Sequence, residues 1–266
     1  MPDAADSSPR RYFGDLFKRQ IFGLQDYSTL VYHTLIDAFT PPFYATDVLT
    51  QMDVIGVGSL PIVLLTSFFM GAVMVLQTSA QFSRFGETSL TGDAVALALV
   101  RELGPSITGL LVAGRNGSGI ASELGSMVVT EQVDAMRALG TDPLRKLVTP
   151  RVIATFLTLP LLTLVSDFVG LCGGYVMASV MLHLSASEFW NRAIKALAVG
   201  DLVQGMVKPL VFALLVSTIS CYFGLRVRGG TEGVGRATTT AVVASSVSIL
   251  VVNFFITRVM LSVFPN

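Results

Sequence analysis

Five apolar stretches, each long enough to cross a lipid bilayer, constrain this chain more than any other feature of its sequence. Hydrophobic residues occupy 52% of the 266 positions and charged residues 14%, and the mean hydropathy is +0.67. The stretches cover residues 54–82, 94–127, 152–182, 202–225 and 237–263. Since their length is that of membrane helices, the sequence predicts an all-α polytopic membrane protein. The second stretch is too long for one upright crossing, so it must tilt or project beyond the bilayer.

The segment before the first stretch has a different character. Between residues 10 and 39, aromatic and aliphatic residues are interspersed with Arg10, Arg11, Lys18 and Arg19, and the pattern ends at Pro41-Pro42. It predicts an interfacial elbow helix, with a soluble helix packed on a partner as the alternative. Residues 1–9 are expected to be disordered, and no signal peptide is recognisable. We therefore divide the chain into an N-terminal segment, 1–50, and a membrane domain, 51–266.

The distribution of lysine and arginine predicts the orientation. Eleven of these residues fall in the N-terminal segment and in the loops after the second and fourth stretches, whereas the opposite loops hold three, Arg84, Arg192 and Lys195. Basic residues concentrate in cytoplasmic loops, so the N-terminus is predicted to be cytoplasmic and the C-terminus periplasmic. Residues 187–199, with Trp190, predict a second short interfacial helix.

The second stretch combines small and charged residues. Gly109, Gly117 and Gly125 recur on one helical stripe, and Gly114 begins a neighbouring one; such stripes let membrane helices pack closely. Gly170 and Gly174 form a similar pair in the third stretch.

Charged residues within a membrane helix mark functional positions, because their burial in lipid is costly. Arg101 and Glu102 lie about a third of the way across the membrane and precede Gly104-Pro105. Two interpretations stay open: the pair lines a cavity for an anionic headgroup, or it forms an ion pair that clamps neighbouring helices. Arg115 and Glu123, farther along, favour pairing between helices.

A short polar helix follows the second stretch. Its apolar residues are Val133, Met136 and Leu139, and Gly140 ends it. Such a helix suits a groove in a soluble partner, although a solvated loop helix is the alternative. The polar residues assigned to that contact are Glu131, Gln132 and Asp134.

Several chemistries find little support in the sequence. The glycine-rich run 114–119 lacks the Gly-Lys-Ser/Thr ending of a phosphate loop, so no ATP hydrolysis is assigned to this chain. Ser118 with His183 could form an intramembrane hydrolase, but nothing orients the histidine. The sequence has no cluster of residues with the spacing of metal ligands. Its formal charge of zero gives no indication of nucleic-acid binding. A proton-coupled secondary transporter using Glu102 stays open as an alternative, although no internal repeat supports it.

A set of short motifs resembles the MlaE permease family. The motifs are Ser59-Leu60-Pro61-Ile62, Gly71, Leu76-Gln77, Glu87-Thr88-Ser89-Leu90, Arg101-Glu102-Leu103-Gly104-Pro105, Gly114-Arg115, Gly117-Ser118, Glu131-Gln132, Asp134, Asp142-Pro143, Pro150-Arg151 and Pro160-Leu161-Leu162. They occur in order across residues 50–265, whereas the first fifty residues match only in character.

The resemblance implies the membrane subunit of an ABC system that moves phospholipids between the membranes of Gram-negative bacteria and sustains outer-membrane lipid asymmetry. It implies a homodimer in the inner membrane, with ATP and Mg²⁺ bound by a separate ATPase subunit docked on residues 131–140. It also implies a periplasmic MCE-domain partner and a lipid cavity that opens toward the periplasm.

Four residues near the outer end of the first stretch fit such a cavity. Met74, Thr78, Phe82 and Phe85 share one face and could wall it, with Arg101 and Glu102 near its polar level. An apolar face that contacts only membrane lipid is the alternative.

Overall fold

The computed structural model describes residues 9–87 and 90–263, with side chains described from residue 21 onward. Within these ranges the chain forms helices joined by short turns, without a strand. The helices are α1 (Pro9–Asp37), α2 (Ala45–Phe85), α3 (Thr91–Val129), α4 (Gln132–Ala138), α5 (Leu144–Leu182), α6 (Ala186–Ala196), α7 (Val199–Gly224) and α8 (Gly230–Val263). Five of them, α2, α3, α5, α7 and α8, are long and apolar enough to cross a membrane. The predicted all-α polytopic architecture is confirmed.

The spanning helices are longer than the apolar stretches that predicted them. Helix α5 begins at Leu144 and α8 at Gly230, each before the predicted start at 152 or 237. Helix α2 begins at Ala45 and runs through position 50, so the predicted division between 1–50 and 51–266 falls inside a helix. Helical hydrogen bonds continue into polar sequence, which is why hydropathy alone underestimates the ends.

Three of the spans contain widened, π-helical turns. These turns are Asp53–Val57 in α2, Leu99–Leu103 and Ala113–Gly117 in α3, and Leu144–Val148 in α5. A π-helical turn takes an extra residue into the helix and occurs frequently at functional sites. The two turns of α3 contain the charged residues that the sequence singles out, Arg101, Glu102 and Arg115.

Helices α2 and α5 approach each other to backbone contact. A Cβ atom at Gly71 would lie 1.8 Å from the carbonyl oxygen of Gly170, and one at Gly173 would lie 2.1 Å from that of Phe68. A Cβ at Gly174 would lie 3.2 Å from Val75. Glycine is therefore required at Gly71 and Gly173, and the predicted packing role of Gly170 and Gly174 is confirmed.

Helix α7 occupies the centre of the bundle. Phe212, Ala213 and Val216 of α7 are fully buried in a cluster with Val112 of α3 and Ile249 of α8. Helix α8, in contrast, has a long outer face of exposed aliphatic and aromatic side chains. Such a face suits lipid or another protein chain.

Helix α1 lies across the ends of α7 and α5 on one side of the bundle. Asp26 pairs with Arg226 just beyond α7, and Asp37 pairs with Arg145 of α5 at 2.7 Å. Its apolar residues Phe22, Leu24 and Tyr32 are exposed, as expected of a helix in the membrane interface. Residues 1–8 and the side chains of the four basic residues predicted for its polar face lie outside the described residues, as do Thr88 and Ser89 of the family motif.

Helix α6 is a second short helix outside the spans, on the other side of the bundle from α1. Ser185 accepts a hydrogen bond from the backbone N–H of Glu188 and caps the helix. Phe189 is fully buried beside α3 and α5, and Trp190 stacks on Phe168 with a centroid distance of 6.1 Å. The prediction of a helix over 187–199 is confirmed, with bounds Ala186–Ala196.

Candidate polar site between the spans

The site begins at a gap in the hydrogen bonding of α3. Arg101 and Glu102 occupy the widened turn Leu99–Leu103, and Pro105 follows shortly after. Proline has no N–H, so the carbonyl of Arg101, four residues earlier, lacks its usual helical donor. Lys208 of α7 supplies the missing donor, with its Nζ 2.8 Å from that carbonyl oxygen.

Lys208 is the centre of a buried ion pair. Its side chain is 0% exposed, and its Nζ lies 2.7 Å from Oε2 of Glu102. The same carboxylate accepts hydrogen bonds from Gln204 (3.2 Å), Asn253 (3.2 Å) and Thr257 (3.0 Å). A buried charge is tolerated when it is paired and its remaining bonding capacity is met. Glu102 thereby joins α3 to both α7 and α8.

Arg101 points to a different partner. Its guanidinium pairs with Asp201, at the beginning of α7, and Asp201 also accepts a hydrogen bond from the backbone N–H of Ala198 at 2.8 Å. Neighbouring residues on a helix diverge by about 100°, which explains why Arg101 and Glu102 reach separate groups. We call the seven residues the polar cluster: Arg101, Glu102, Asp201, Gln204, Lys208, Asn253 and Thr257.

A further carboxyl group lies beside the cluster on α5. Asp167 is buried, and a Cβ atom at Gly104 would lie 1.7 Å from its Oδ1 atom. That oxygen has no hydrogen-bond partner among the described residues. Gly104 is therefore required for Asp167 to pack against α3, directly after Arg101 and Glu102.

A second polar contact joins α3 to α2 at the other widened turn. Arg115 donates to the carbonyl of Val54 (3.1 Å) and to the hydroxyl of Ser59 (3.1 Å). Asn116 donates to the carbonyl of Ile55 (3.2 Å) and also to Ser59 (2.9 Å). These carbonyls belong to the widened turn of α2, so the two widened turns are linked by side chains.

Glu123, predicted like Arg115 to pair between helices, does so with Arg151 of α5 at 3.0 Å. Ser118 donates its hydroxyl to the carbonyls of Gly114 (2.6 Å) and Arg115 (2.9 Å) within its own helix. Its hydroxyl is thus engaged by backbone, and His183 ends α5 in a left-handed conformation. The described contacts give no support to a hydrolase pair.

The predicted cavity residues of α2 lie along a partly exposed face. Met74 packs on the buried cluster that includes Leu99 of α3. Thr78 and Phe82 are half-buried, and Phe85 is exposed at the end of the helix. Of the predicted polar residues, Arg101 is 22% exposed and Glu102 37% exposed. Whether these six residues hold lipid stays a prediction.

The glycines predicted for helix packing fall into two groups. A Cβ atom at Gly109 would lie 3.1 Å from Phe212, one at Gly117 would lie 2.9 Å from Ser220, and one at Gly125 would lie 2.8 Å from Val227. These three therefore face α7 and the turn after it. At Gly114 a Cβ atom would meet nothing within 4 Å, so Gly114 has open space beside it in the single chain.

The short helix after α3 presents mainly polar side chains. Glu131 precedes α4 in a left-handed conformation, and Gln132 and Asp134 are exposed. Val133 is buried in the chain's own core and Met136 packs beside it. Leu139, in contrast, is 84% exposed, just before the positive-φ Gly140. Leu139 is the large apolar side chain that this segment projects outward.

Sequence reasoning missed five of the seven residues of the polar cluster, and it also missed Asp167 beside the cluster. Lys208 and Asp201 lie in α7, and Asp167 lies in α5, each as a charged residue in an otherwise apolar span. The sequence did contain the signal for these three residues, because any ionisable residue in a spanning segment is a candidate functional residue. No group of metal-ligating side chains occurs within residues 9–87 and 90–263.

The sequence is similar to known transporter subunits. A family model described as permease MlaE matches residues 48–259. A probable ABC transporter permease protein of Rickettsia typhi is 45% identical over 223 residues, covering 84% of this chain and 86% of that protein. A protein of the same description from Synechocystis sp. is 42% identical over 212 residues, covering 80% and 81%. The chloroplastic protein TRIGALACTOSYLDIACYLGLYCEROL 1 of Arabidopsis thaliana is 43% identical over 206 residues, covering 77% of this chain and 59% of that protein.

Proposed function

The chain belongs to the MlaE permease family, and on that basis we propose that it moves phospholipids as the membrane subunit of an ABC transporter. In this proposal a separate ATPase subunit binds ATP and Mg²⁺, and a periplasmic MCE-domain protein exchanges lipid with the permease. The chain itself then contributes binding and gating and carries no catalytic residue.

The polar cluster is the observation that carries the lipid proposal. Arg101 and Glu102 are part-exposed charges within a span. They follow closely on Leu99 of α3, which belongs to the apolar cluster on which Met74 of α2 packs. A phospholipid combines the same two properties, a charged headgroup and apolar chains. The planar guanidinium of Arg101 can bind two phosphate oxygens at once. The name of the Arabidopsis relative contains that of a galactolipid, which also favours a lipid cargo.

A homodimer is supported by surfaces that a single chain leaves open. On α3, Gly114 and Gly119 have no neighbour within 4 Å, and Arg115 between them is exposed. Polar and small side chains of a span rarely face lipid tails. The outer face of α8, with Phe254 and Val247 exposed, offers a second surface for a partner chain.

The ATPase would dock on the segment 131–140. Leu139 would provide the apolar anchor, while Gln132 and the ion pair of Asp134 with Arg137 (2.7 Å) would border it. In this arrangement Met136 stabilises the segment from within, because it packs on the chain's own core. Docking at a short helix that is fixed to the bundle would transmit movement of the ATPase to α3 and α5.

The basic residues favour the inner membrane of a bacterium, with the N-terminus cytoplasmic and the C-terminus periplasmic. On that orientation α1 and α4 lie on the cytoplasmic side, together with the ATPase. The polar cluster then lies toward the periplasm, the side from which an MCE-domain partner would receive or deliver lipid.

The test is reconstitution of the purified chain with an ABC ATPase subunit from the same organism. We expect phospholipid to be retained by the complex, detected by mass spectrometry, and to cross-link to a photoreactive residue placed at position 82. Arg101→Glu should remove both signals, whereas Arg192→Glu, at a more exposed arginine on the same side, should preserve them. If wild-type protein retains no phospholipid and forms no cross-link while it stimulates the ATPase, the cargo belongs to another class.

A further inference from the structure

An apolar crevice lies between α1, α5 and α7, away from the polar cluster. Its volume is about 490 Å³, within the range of about 300–1,000 Å³ typical of ligand cavities. Its principal walls are Tyr27, Val31 and Leu35 of α1 with Val211, Leu215 and Thr218 of α7. On α1 the crevice extends over nine residues, from Tyr27 to Leu35, so it is roughly 12 Å long.

Four of the five hydroxyl groups that line the crevice are already bonded within the protein. The hydroxyls of Tyr27 and Thr218 form a hydrogen bond of 2.8 Å. Ser28 and Thr34 donate to carbonyls of their own helix, at 2.9 Å and 2.8 Å. Burial raises the pKa of Tyr27, while the hydrogen bond with Thr218 lowers it. The crevice therefore offers a largely apolar environment, in which the exposed hydroxyl of Tyr32 is the one side-chain polar group of the lining without a hydrogen bond among the described residues. Such an environment suits a hydrocarbon chain.

A cationic cavity lies near the Tyr27 end of the crevice. This second cavity has a volume of about 600 Å³ and is lined by residues 225–228 and by Asp26, the neighbour of Tyr27 on α1. Arg226 pairs with Asp26 and lies over the ring of Tyr222, 4.6 Å from its centroid. Arg228 is exposed and forms no ion pair or hydrogen bond with any residue in the described ranges. The cavity therefore has one arginine paired internally and a second available to an anion.

Tyr222 contacts one lining residue of each cavity, Tyr27 and Arg226. Its ring meets that of Tyr27 edge-on, with centroids 5.6 Å apart. Its hydroxyl donates to the carbonyl of Gly23 at 3.0 Å and accepts from Arg226 at 3.2 Å. The apolar crevice and the basic residues are thus held next to each other by one set of side-chain contacts.

We propose that the crevice and the cationic cavity together bind one anionic phospholipid from the leaflet beside α1. An acyl chain occupies the crevice, and the headgroup phosphate lies beside Arg228. An apolar crevice with an unpaired arginine near one end matches an amphiphile with an anionic headgroup. A free anion would leave the crevice empty. Basic residues at a membrane surface attract anionic lipids, and arginine can bind two phosphate oxygens at once. This site is separate from the polar cluster, so it does not depend on the cargo that the protein transports.

The experiment uses the full chain in nanodiscs of phosphatidylcholine that contain a minor fraction of a photoreactive lipid. The lipid carries a carbene precursor at the end of one acyl chain, and its headgroup is either phosphatidylglycerol or phosphatidylcholine. After irradiation, labelled peptides are identified by mass spectrometry. We expect phosphatidylglycerol to label the crevice segments of α1 and α7 more strongly than phosphatidylcholine does.

Two variants test the two halves of the site. Arg228→Gln should lower labelling by phosphatidylglycerol about fivefold, equivalent to about 1 kcal/mol for one arginine at the membrane surface. It should lower phosphatidylcholine labelling less, because the choline cation offsets the phosphate charge. Val31→Trp should fill the crevice and suppress labelling by either lipid. The matched controls are Arg236→Gln, an exposed arginine outside the cavity, and Leu24→Trp, an exposed α1 position outside the crevice.

The proposal is overturned if the two headgroups label the crevice equally, or if labelling is spread evenly over all outward-facing positions of the spans. Labelling of the crevice that persists unchanged in both Arg228→Gln and Val31→Trp also overturns it. A wild-type preference for phosphatidylglycerol that both controls preserve and both test variants reduce supports the site, whatever lipid the transporter moves.

Discussion

Replacing Lys208 by methionine tests how much the buried ion pair stabilises the bundle. Methionine has a similar length and no charge, so the change removes the ion pair with Glu102 and the hydrogen bond to the carbonyl of Arg101 with little loss of volume. Removing one partner of a buried ion pair costs about 3–5 kcal/mol. Glu102 is 37% exposed and keeps three other hydrogen bonds, so the lower end applies. We expect a loss of about 3 kcal/mol.

Thermal unfolding of the purified protein in detergent measures this effect. For a chain of this size, about 3 kcal/mol corresponds to a decrease in Tm of roughly 6–12 °C. Lys195→Met, at an exposed lysine on α6, should change the stability by less than about 0.5 kcal/mol. Adding Glu102→Gln to Lys208→Met removes the unpaired charge and keeps groups that can bond to Asn253 and Thr257. The double variant should therefore be more stable than Lys208→Met alone.

Two results would refute this reasoning. If Lys208→Met unfolds at the temperature of the wild type, the ion pair contributes nothing to stability. If the double variant is less stable than the wild type by the sum of the two single effects, Lys208 and Glu102 are energetically independent despite the 2.7 Å distance between their charged atoms.

Three other outcomes follow from the packing and the ion pairs. Gly71→Ala should abolish the yield of monodisperse protein in size-exclusion chromatography, because its Cβ would overlap a backbone carbonyl. Gly235→Ala, in α8, where a Cβ atom would meet nothing within 4 Å, should elute like the wild type. Leu139→Ser should reduce stimulation of a reconstituted ATPase while leaving the Tm unchanged; unchanged stimulation would exclude this side chain as an anchor. Arg101→Asp should lower the Tm, and adding Asp201→Arg should restore part of the loss; no recovery would mean that their ion pair is not stabilising.

The sequence was sufficient to predict the spans, because hydrophobic composition and length determine which segments cross a membrane. The sequence also identified Arg101 and Glu102 as charged residues within a spanning segment and therefore as functional candidates. Their partners could not be predicted, since Asp201 and Lys208 lie about a hundred residues away and the pairing depends on how α7 docks on α3. Lys208 could have been noticed as a charged residue in an apolar span. Predicting its hydrogen bond to the carbonyl of Arg101, however, requires the relative position of both helices.

The outward side of α4 illustrates a different limit. Periodicity places Val133, Met136 and Leu139 together as one apolar set, but the structure divides them. Val133 and Met136 face the chain's own core, whereas Leu139 extends beyond the last helical residue and is exposed. A helix this short gives too few turns for periodicity to determine which apolar residues remain available to a partner.

The widened turn Ala113–Gly117 has a consequence for the spacing of glycines along α3. In a regular α-helix, residues spaced by four drift around the axis by about 40° per step, so Gly109 and Gly117 would diverge by about 80°. A π-helical turn accommodates more residues per revolution and reduces that drift, and both glycines contact α7. The four-residue spacing of the glycines and the widened turn thus act together, because the turn keeps both glycines on the side of α3 that faces α7. Transplanted into a regular helix, the same glycine spacing would wind around the surface and would no longer make a continuous groove.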